Sequence, residues 1–226
     1  MIRSLLAASV IALIPASASA ADLITNGGFE NPVVASPCCS TVPTDSLPGW
    51  TVPTGNVNVV NGTFASSAGN LAFEGNQYLD LVGQGGVGSL SQTFNTVLNQ
   101  AYTLSFVFSH NLFSGITSAS ASLNVGSLTD VITHTGGTNA NLAWQNYSNT
   151  FVAAGPTTTL NFTNLTGGDN EGMFLDAVSV NAVEVNPTGA VPEPSTWAMM
   201  MMGFGAVGLG LRRRKPEAKR LRVAYA

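Results

Sequence analysis

Short stretches of alternating apolar and polar residues, separated by turn-forming residues, most limit how this chain can fold. The clearest stretch is 102–109, in which Tyr102, Leu104, Phe106 and Phe108 alternate with Thr, Ser and Val. A period of two places these apolar side chains together on one face of a β-strand. The stretch therefore predicts an antiparallel strand with one face against a core.

The same pattern recurs along most of the chain, with Gly, Ser, Thr and Asn between the apolar stretches. Many short strands separated by turns predict an all-β fold, either a sandwich or a barrel. No helix is predicted between the two ends of the chain. The predicted strands span residues 22–25, 57–60, 78–82, 89–94, 102–109, 119–125, 128–133, 147–153, 158–163 and 173–180.

Positive charges lie only near the two ends of the chain. Residues 21–211 contain no Lys or Arg, yet they contain every acidic residue except Glu217. Such a region lacks the basic surface that nucleic-acid binding requires. It also cannot pair a carboxylate with Lys or Arg, so a buried carboxylate must be protonated, hydrogen-bonded or bound to a metal ion.

The first residues have the pattern of a secretory signal peptide. Arg3 supplies a positive start, residues 5–14 are apolar, and Ala18 and Ala20 form a small-residue cleavage site. We predict that residues 1–20 are removed on export and that Ala21 becomes the new N-terminus.

The C-terminal end has three parts in a fixed order: a polar motif, an apolar run at 197–211 and a basic group. The apolar run is shorter than the roughly 20 residues that a membrane-spanning helix needs, but snorkelling basic side chains can extend its reach. We predict a transmembrane helix over 197–211 that is followed by a basic cytoplasmic tail. The motif and the basic group consist of Val191, Pro192, Glu193, Pro194, Arg212, Arg213, Arg214 and Lys215.

This tail resembles the PEP-CTERM sorting signal of Gram-negative bacteria. Pro192, Glu193 and Pro194 match the motif of that family, and the apolar run and the basic group match its membrane segment and its end. The resemblance implies export, recognition by an exosortase-type sorting protease and association with exopolysaccharide and biofilm. It implies an inner-membrane anchor before processing and a final place on the outer surface or in the extracellular matrix.

The chain is therefore expected to have five parts. These are a signal peptide at 1–20, a β-sandwich domain at 21–185, a linker with the polar motif at 186–196, a transmembrane helix at 197–211 and a basic cytoplasmic tail at 212–226.

The β domain resembles the galactose-binding-like jelly rolls, which include carbohydrate-binding modules. The resemblance implies an antiparallel jelly-roll β-sandwich, and it covers most of residues 22–180. It is carried by segments 23–32, 47–50, 78–81, 88–92 and 174–180.

In many jelly rolls of that type, a Glu after the first strand and an Asp on the last strand bind a structural calcium ion. The matching residues here are Glu30 and Asp176. Because the domain has no Lys or Arg, a hard cation that takes oxygen ligands is a natural partner for these carboxylates. The alternative is that Glu30 is a turn residue and Asp176 a solvated residue at a strand end.

Sugar binding usually uses an exposed aromatic ring with polar neighbours. The candidates are Trp50, Tyr78, Trp144 and Tyr147. The alternative for each is packing, since aromatic side chains bury a large area in a core. No basic residue is available to bind an acidic sugar.

The sequence does not predict an enzyme. His110 and His134 are the two histidines, each at a strand end where a polar turn residue is expected, and no nucleophile elbow or zinc motif is present. Cys38 and Cys39 are adjacent in a predicted loop; a strained disulfide between them, an intermolecular bridge and free thiols all remain open.

We therefore predict an exported, non-catalytic cell-surface or matrix protein associated with exopolysaccharide. The first alternative is a carbohydrate-binding module with a specific glycan ligand, and the second is a glycan hydrolase.

Overall fold

The computed structural model describes residues 21–36, 39–42, 46–166, 168, 170–184 and 194–212. Most of them form a β-sandwich of two antiparallel sheets, which confirms the predicted fold class. The six-stranded sheet has the order β1-β2-β3-β12-β7-β10, the four-stranded sheet has the order β6-β11-β8-β9, and β4 and β5 form a small hairpin. The strands are β1 (Cys39–Val42), β2 (Val57–Asn61), β3 (Gln77–Asp80), β4 (Val82–Gly83), β5 (Gly86–Val87), β6 (Ser89–Asn95), β7 (Ala101–His110), β8 (Ser118–Val125), β9 (Leu128–Thr135), β10 (Gln145–Val152), β11 (Thr157–Asn164) and β12 (Met173–Ala182), and a short 3-10 helix spans Leu112–Ser114.

The main core lies between the two sheets and follows from the period-two pattern. On β7, Leu104 and Phe106 face this core, and Phe106 packs edge-on against Phe162 of β11 at 5.1 Å between ring centroids. Val57 and Val59 of β2 are fully buried in the same core. Burial of each such side chain contributes roughly 1.5–3 kcal/mol to folding.

The outer face of the four-stranded sheet carries neither a charge nor an aromatic ring. Every outward-facing residue of β6, β8, β9 and β11 is Ser, Thr or Asn except Val131. Cross-strand pairs connect these side chains: the hydroxyls of Thr93 and Thr159 lie 2.8 Å apart, as do those of Ser120 and Thr133.

The outer face of the six-stranded sheet is instead partly covered by loops. Five buried residues form a second apolar cluster there, and half-buried rings from the loops pack against it. These loops and this part of the sheet face together enclose a cleft. The five residues are Val60, Leu71, Tyr78, Leu142 and Phe174.

Three local predictions differ from the structure. Residues 22–25 do not form a strand, because Asp22 Oδ1 accepts hydrogen bonds from the main-chain N–H groups of Ile24 and Val180. The stretch 78–82 is two strands rather than one, since Asp80 Oδ1 accepts the N–H of Val82 where the chain leaves β3. Cys39 is the first residue of β1 rather than a loop residue, and it is exposed.

The C-terminal unit contains one helix, α1, at Pro194–Arg212, whose described side chains are exposed. In the part of the chain that the structure describes, no helix is long and apolar enough to cross a membrane. The prediction of a transmembrane helix over 197–211 is therefore not supported, since four glycines dilute the apolar character of the run.

Several predicted segments lie outside the described residues. They are the signal peptide with Ala18 and Ala20, the motif residues Val191, Pro192 and Glu193, the basic residues Arg213, Arg214 and Lys215, and Cys38.

Candidate functional site

A cleft of about 440 Å³ opens on the outer face of the six-stranded sheet, beside the second apolar cluster. Its base comes from β1, β2, β3 and β12, and its walls come from the β2–β3 loop, the β4–β5 hairpin, the segment after β7 and the loop before β12. It is lined by Cys39, Thr41, Asn58, Val60, Phe64, Asp80, Gln84, Asn111, Phe113, Asn170 and Phe174.

Side-chain amides form a hydrogen-bonded network along one side of this cleft. Asn58 Nδ2 donates to Asn170 Oδ1 at 2.9 Å. Asn111 Nδ2 donates to Asp80 Oδ2 at 2.9 Å and to the main-chain oxygen of Asn170 at 2.5 Å. The network fixes four side chains, from two strands and two connecting segments, in one arrangement, so the cleft is preorganised.

Asn58 has unused hydrogen-bonding capacity in this network. It is 4% exposed, and its Oδ1 atom has no hydrogen-bond partner. A buried polar atom without a partner costs roughly 1–3 kcal/mol, and such atoms are uncommon in folded proteins. A ligand that supplies a donor here would recover part of that cost.

Asp80 is the carboxylate of the cleft. It is 1% exposed, and burial raises its pKa to about 7 although Val82, Asn111 and Gly172 donate hydrogen bonds to it. Asp80 also raises the pKa of the neighbouring Tyr78, whose own burial is the larger cause. A carboxyl group beside side-chain amides can bind hydroxyl groups as donors or as acceptors.

Aromatic rings form the apolar side of the cleft. Phe64 and Phe113 are half-buried and meet edge to face, with 5.5 Å between ring centroids and 75° between ring planes. Phe174 lies at the base and packs on Tyr78 at 4.7 Å. The half-buried rings offer an apolar surface to the C–H groups of a sugar. The neighbouring amides offer hydrogen bonds to its hydroxyls, so the cleft has both kinds of contact that a sugar requires.

The aromatic residues predicted to bind sugar lie mainly in packing positions. Trp50 is 4% exposed, packs on Phe29 at 5.6 Å and donates its indole N–H to the main-chain oxygen of Asn26. Tyr78 is a fully buried member of the second apolar cluster. Neither residue presents an open ring face.

The other two candidates are half-buried. Trp144 donates its indole N–H to Leu71 and packs edge-on against Tyr78 at 5.7 Å. Tyr147 stacks on Phe106 at 4.7 Å and donates its hydroxyl to Asp130. Neither lines the cleft, and their role in carbohydrate binding stays a prediction.

Glu30 and Asp176 are brought to one loop, residues 73–77. Glu30 Oε1 accepts the main-chain N–H groups of Asn76 and Gln77 at 2.7 and 2.8 Å. Asp176 Oδ2 accepts those of Phe73 and Glu74 at 2.9 and 3.1 Å. The two carboxylates together hold both ends of this loop against the sheet.

Asp176 is fully buried rather than solvated, and burial raises its pKa to about 7. Its Oδ1 atom accepts the N–H of Ala177 at 2.7 Å, so both oxygens are engaged. Among the described residues, no three His, Cys, Asp or Glu side chains form a group that could hold a metal ion. A calcium ion at Asp176 would compete with the three main-chain N–H groups that the carboxylate already accepts. Calcium binding stays a prediction.

The histidines are not turn residues, and that interpretation is wrong. His110 of β7 and His134 of β9 are fully buried between the sheets, with their Nδ1 atoms 2.7 Å apart. His134 Nε2 donates to the main-chain oxygen of Ala143 at 2.9 Å, so its Nδ1 accepts from His110 in the neutral pair. Burial lowers the pKa of His110, and His134 lowers it further.

Sequence analysis did not identify the cleft. Asn is common throughout this chain, and the Asn58–Asn170 contact joins residues 112 positions apart, so no local pattern marks it. One signal was present: Asp80 interrupts the apolar stretch 78–82 in a domain without cations.

Solved structures with the same fold support the assignment of the architecture. A carbohydrate-binding module, TmCBM61 in complex with β-1,4-galactotriose, is 17% identical, with a TM-score of 0.51 and coverage of 72% of this chain and 99% of that chain. A cyclase from Fischerella sp. TAU is 20% identical, with a TM-score of 0.51 and coverage of 73% and 98%. At these identities the likeness establishes the fold alone, a jelly-roll β-sandwich.

Two family models match the sequence. The model described as a protein of unknown function, DUF642, matches residues 22–181, so the chain belongs to the DUF642 family. The PEP-CTERM protein-sorting motif matches residues 190–215, which confirms the predicted sorting signal and indicates an exported protein that is sorted by an exosortase. A comparison with curated proteins finds no match.

Proposed function

We propose that this exported protein is a non-catalytic glycan-binding component of the cell surface or matrix, associated with exopolysaccharide or biofilm material. The observation that carries the proposal is the cleft, where the amides of Asn58, Asn111 and Asn170 face the rings of Phe64 and Phe113. Amides provide both donors and acceptors for hydroxyls, and aromatic rings pack against the C–H face of a sugar.

The chemistry of the cleft supports a binding role over catalysis. Glycoside hydrolysis generally uses a pair of carboxyl groups on either side of the scissile bond. Among the described residues that line the cleft, Asp80 is the one carboxyl group, and Asn111 and Val82 already donate to it. The fold itself is compatible with either function.

Affinity electrophoresis of the full chain in gels that contain a neutral polysaccharide tests the proposal. A suitable panel is galactan, mixed-linkage β-glucan and glucomannan, with a gel without polymer as the reference. We expect retardation by at least one of these polymers. The proposal fails if no polysaccharide, neutral or acidic, retards the protein.

Matched variants locate the binding surface. Phe64→Ala removes a ring of the cleft, whereas Phe73→Ala removes a ring that is 51% exposed and does not line it. We expect Phe64→Ala to weaken retention by about tenfold, which corresponds to roughly 1.4 kcal/mol. Asn58→Ala should have a similar effect, since it removes the unpartnered acceptor. Phe73→Ala should bind normally, and melting curves verify that each variant is folded.

Incubation of the protein with the polymers and added divalent metal ions tests the proposal that the protein does not hydrolyse glycans. We expect no change in polymer chain length. Release of reducing ends by the purified protein would overturn this part of the proposal and would favour a hydrolase.

A further inference from the structure

We infer that the cleft selects uncharged, hydroxyl-rich glycans and rejects anionic ones, with Asp80 as the residue that discriminates between them. The inference rests on the proposed glycan-binding function and names the class of ligand that the site accepts. It follows from the charges around the cleft and from the acceptor that the network leaves unused.

The cleft has a negative group without any positive counterpart. Asp80 lies in its wall, and its hydrogen-bond donors are the neutral groups of Val82, Asn111 and Gly172. The sequence contains no Lys or Arg anywhere in residues 21–211. Ionised Asp80 is therefore balanced only by dipoles, and no side chain can compensate a second negative charge.

A uronate or sulfate group that entered this cleft would lose water and approach a like charge. Both effects are unfavourable, because a buried charge requires a partner and like charges at short range raise one another's energy. A neutral hydroxyl has neither cost. It can also donate to Asn58 Oδ1, which has no partner in the structure and is the kind of acceptor that a hydroxyl satisfies.

Protonation of Asp80 should relax the discrimination. Burial raises the pKa of Asp80 to about 7, so the group is mainly ionised at about pH 8 and mainly protonated at about pH 5. A uronate stays ionised at both values, as free carboxyl groups do. Rejection of uronates should therefore be strongest in alkaline solution.

The other titratable groups of the elements packed around Asp80 include no Lys or Arg. They are Tyr78 on the same strand, Cys39 on β1, Asp176 on β12, Glu171 beside Gly172 and His110 on β7, whose ring is buried against His134 and does not line the cleft. The pKa of Tyr78 is raised by burial, so this side chain is neutral at both pH values. The pKa of Asp176 is also raised to about 7, but its oxygens are occupied by main-chain donors outside the cleft lining.

The test compares one polymer with and without charge. The neutral polysaccharide of the panel that retards the full chain best is used directly and after partial oxidation of its C6 hydroxyls to carboxylates. We expect the parent polymer to retard the protein equally at about pH 8 and about pH 5. The oxidised polymer should be bound about tenfold more weakly than its parent at the higher pH, and the difference should shrink at the lower pH.

A charge-removing variant assigns the discrimination to one residue. Asp80→Asn should remove the pH dependence and bring retention by the oxidised polymer close to that of the parent. Asp130→Asn is the matched control, because Asp130 lies on β9 of the other sheet and does not line the cleft. It should behave as the wild type. Should Asp80→Asn prove unfolded in melting curves, the comparison of pH values with the wild-type chain still decides the question.

The outcomes separate this inference from the proposed function. Equal retention by the oxidised and parent polymers at about pH 8, or retention by acidic polysaccharides alone, overturns the inference and leaves glycan binding intact. Absence of retention by every polymer overturns both. A pH-dependent preference that Asp130→Asn abolishes as fully as Asp80→Asn would remove Asp80 from its assigned role.

Discussion

Asp80 and Asp176 are two buried aspartates on the same face of the six-stranded sheet, yet their surroundings differ. Burial raises the pKa of each to about 7. Three main-chain N–H groups donate to the two oxygens of Asp176, and no side-chain donor among the described residues takes part. Asp80 also accepts main-chain N–H groups, from Val82 and Gly172, but its third donor is the side chain of Asn111, in a network where Asn58 has an unpartnered oxygen.

The comparison shows that burial and a raised pKa do not by themselves mark a binding site. Both features appear at Asp176, where the carboxylate fastens a loop, and at Asp80, which lines a cleft. What differs is the hydrogen-bonding capacity that the neighbours leave unused. We therefore assign Asp176 to the stability of the fold and Asp80 to recognition.

The largest expected effect is on stability. Asp176→Ala leaves the N–H groups of Phe73, Glu74 and Ala177 without their acceptor, which should lower the free energy of unfolding by about 4 kcal/mol. Asp80→Ala should cost about half as much, because water in the cleft can reach the groups that it frees. Urea denaturation measures both, with Asp130→Asn as the control. Equal losses for the two alanine variants would contradict the assignment.

The pH dependence of stability should be the next largest effect. An aspartate with a raised folded pKa binds more protons in the folded state, so its contribution falls as pH rises from the unfolded value near 3.8 to about 7. His110 has the opposite sign: its pKa is lowered in the fold, so stability is lost as pH falls below its usual 6.5. With two aspartates against one histidine, the free energy of unfolding should fall by about 3 kcal/mol from pH 5 to pH 8.

Thermal melting across that range measures the net slope. Asp80→Asn and Asp176→Asn should each flatten it, and replacement of His110 by Gln should steepen it below about pH 6.5. A stability that rises with pH would show that the aspartates ionise normally in the folded protein.

Calcium should have the smallest effect. Glu30 and Asp176 together already accept five main-chain N–H groups, which do much of what a cation would do for their charge. If calcium displaces some of these donors, calcium should raise the Tm relative to chelator by a few degrees at most, and Asp176→Asn should abolish the rise. Identical melting curves and no heat of binding in calorimetry would remove calcium from this loop.

The strands whose apolar residues follow a local period of two could be predicted from the sequence. The alternation at 102–109 becomes β7, and most predicted strands differ from the observed ones by one or two residues at their ends. β1 was missed because its pattern, Cys-Ser-Thr-Val, has one apolar side chain that becomes buried. The strand predicted at residues 22–25 is absent for another reason: the side-chain carboxylate of Asp22 accepts main-chain N–H groups that strand pairing would use.

The site depends on contacts that no local pattern contains. Asp176 could be selected because it matches a calcium position of similar jelly rolls, and in the structure it is fully buried. The cleft could not be selected, since its amides come from β2, from the residue that follows β7 and from the loop before β12. Only the sheet order places Asn58 and Asn170 within hydrogen-bond distance.

The hydroxyl-covered outer face of the four-stranded sheet affects how the solubility of the protein depends on salt and pH. A surface of Ser, Thr and Asn has no charges for dissolved ions to screen, and its hydration does not depend on proton concentration. Solubility that rests on hydroxyls should therefore change little between dilute and saline media. For an exported protein, this face of the sheet would stay equally well hydrated at low and at high salt concentration.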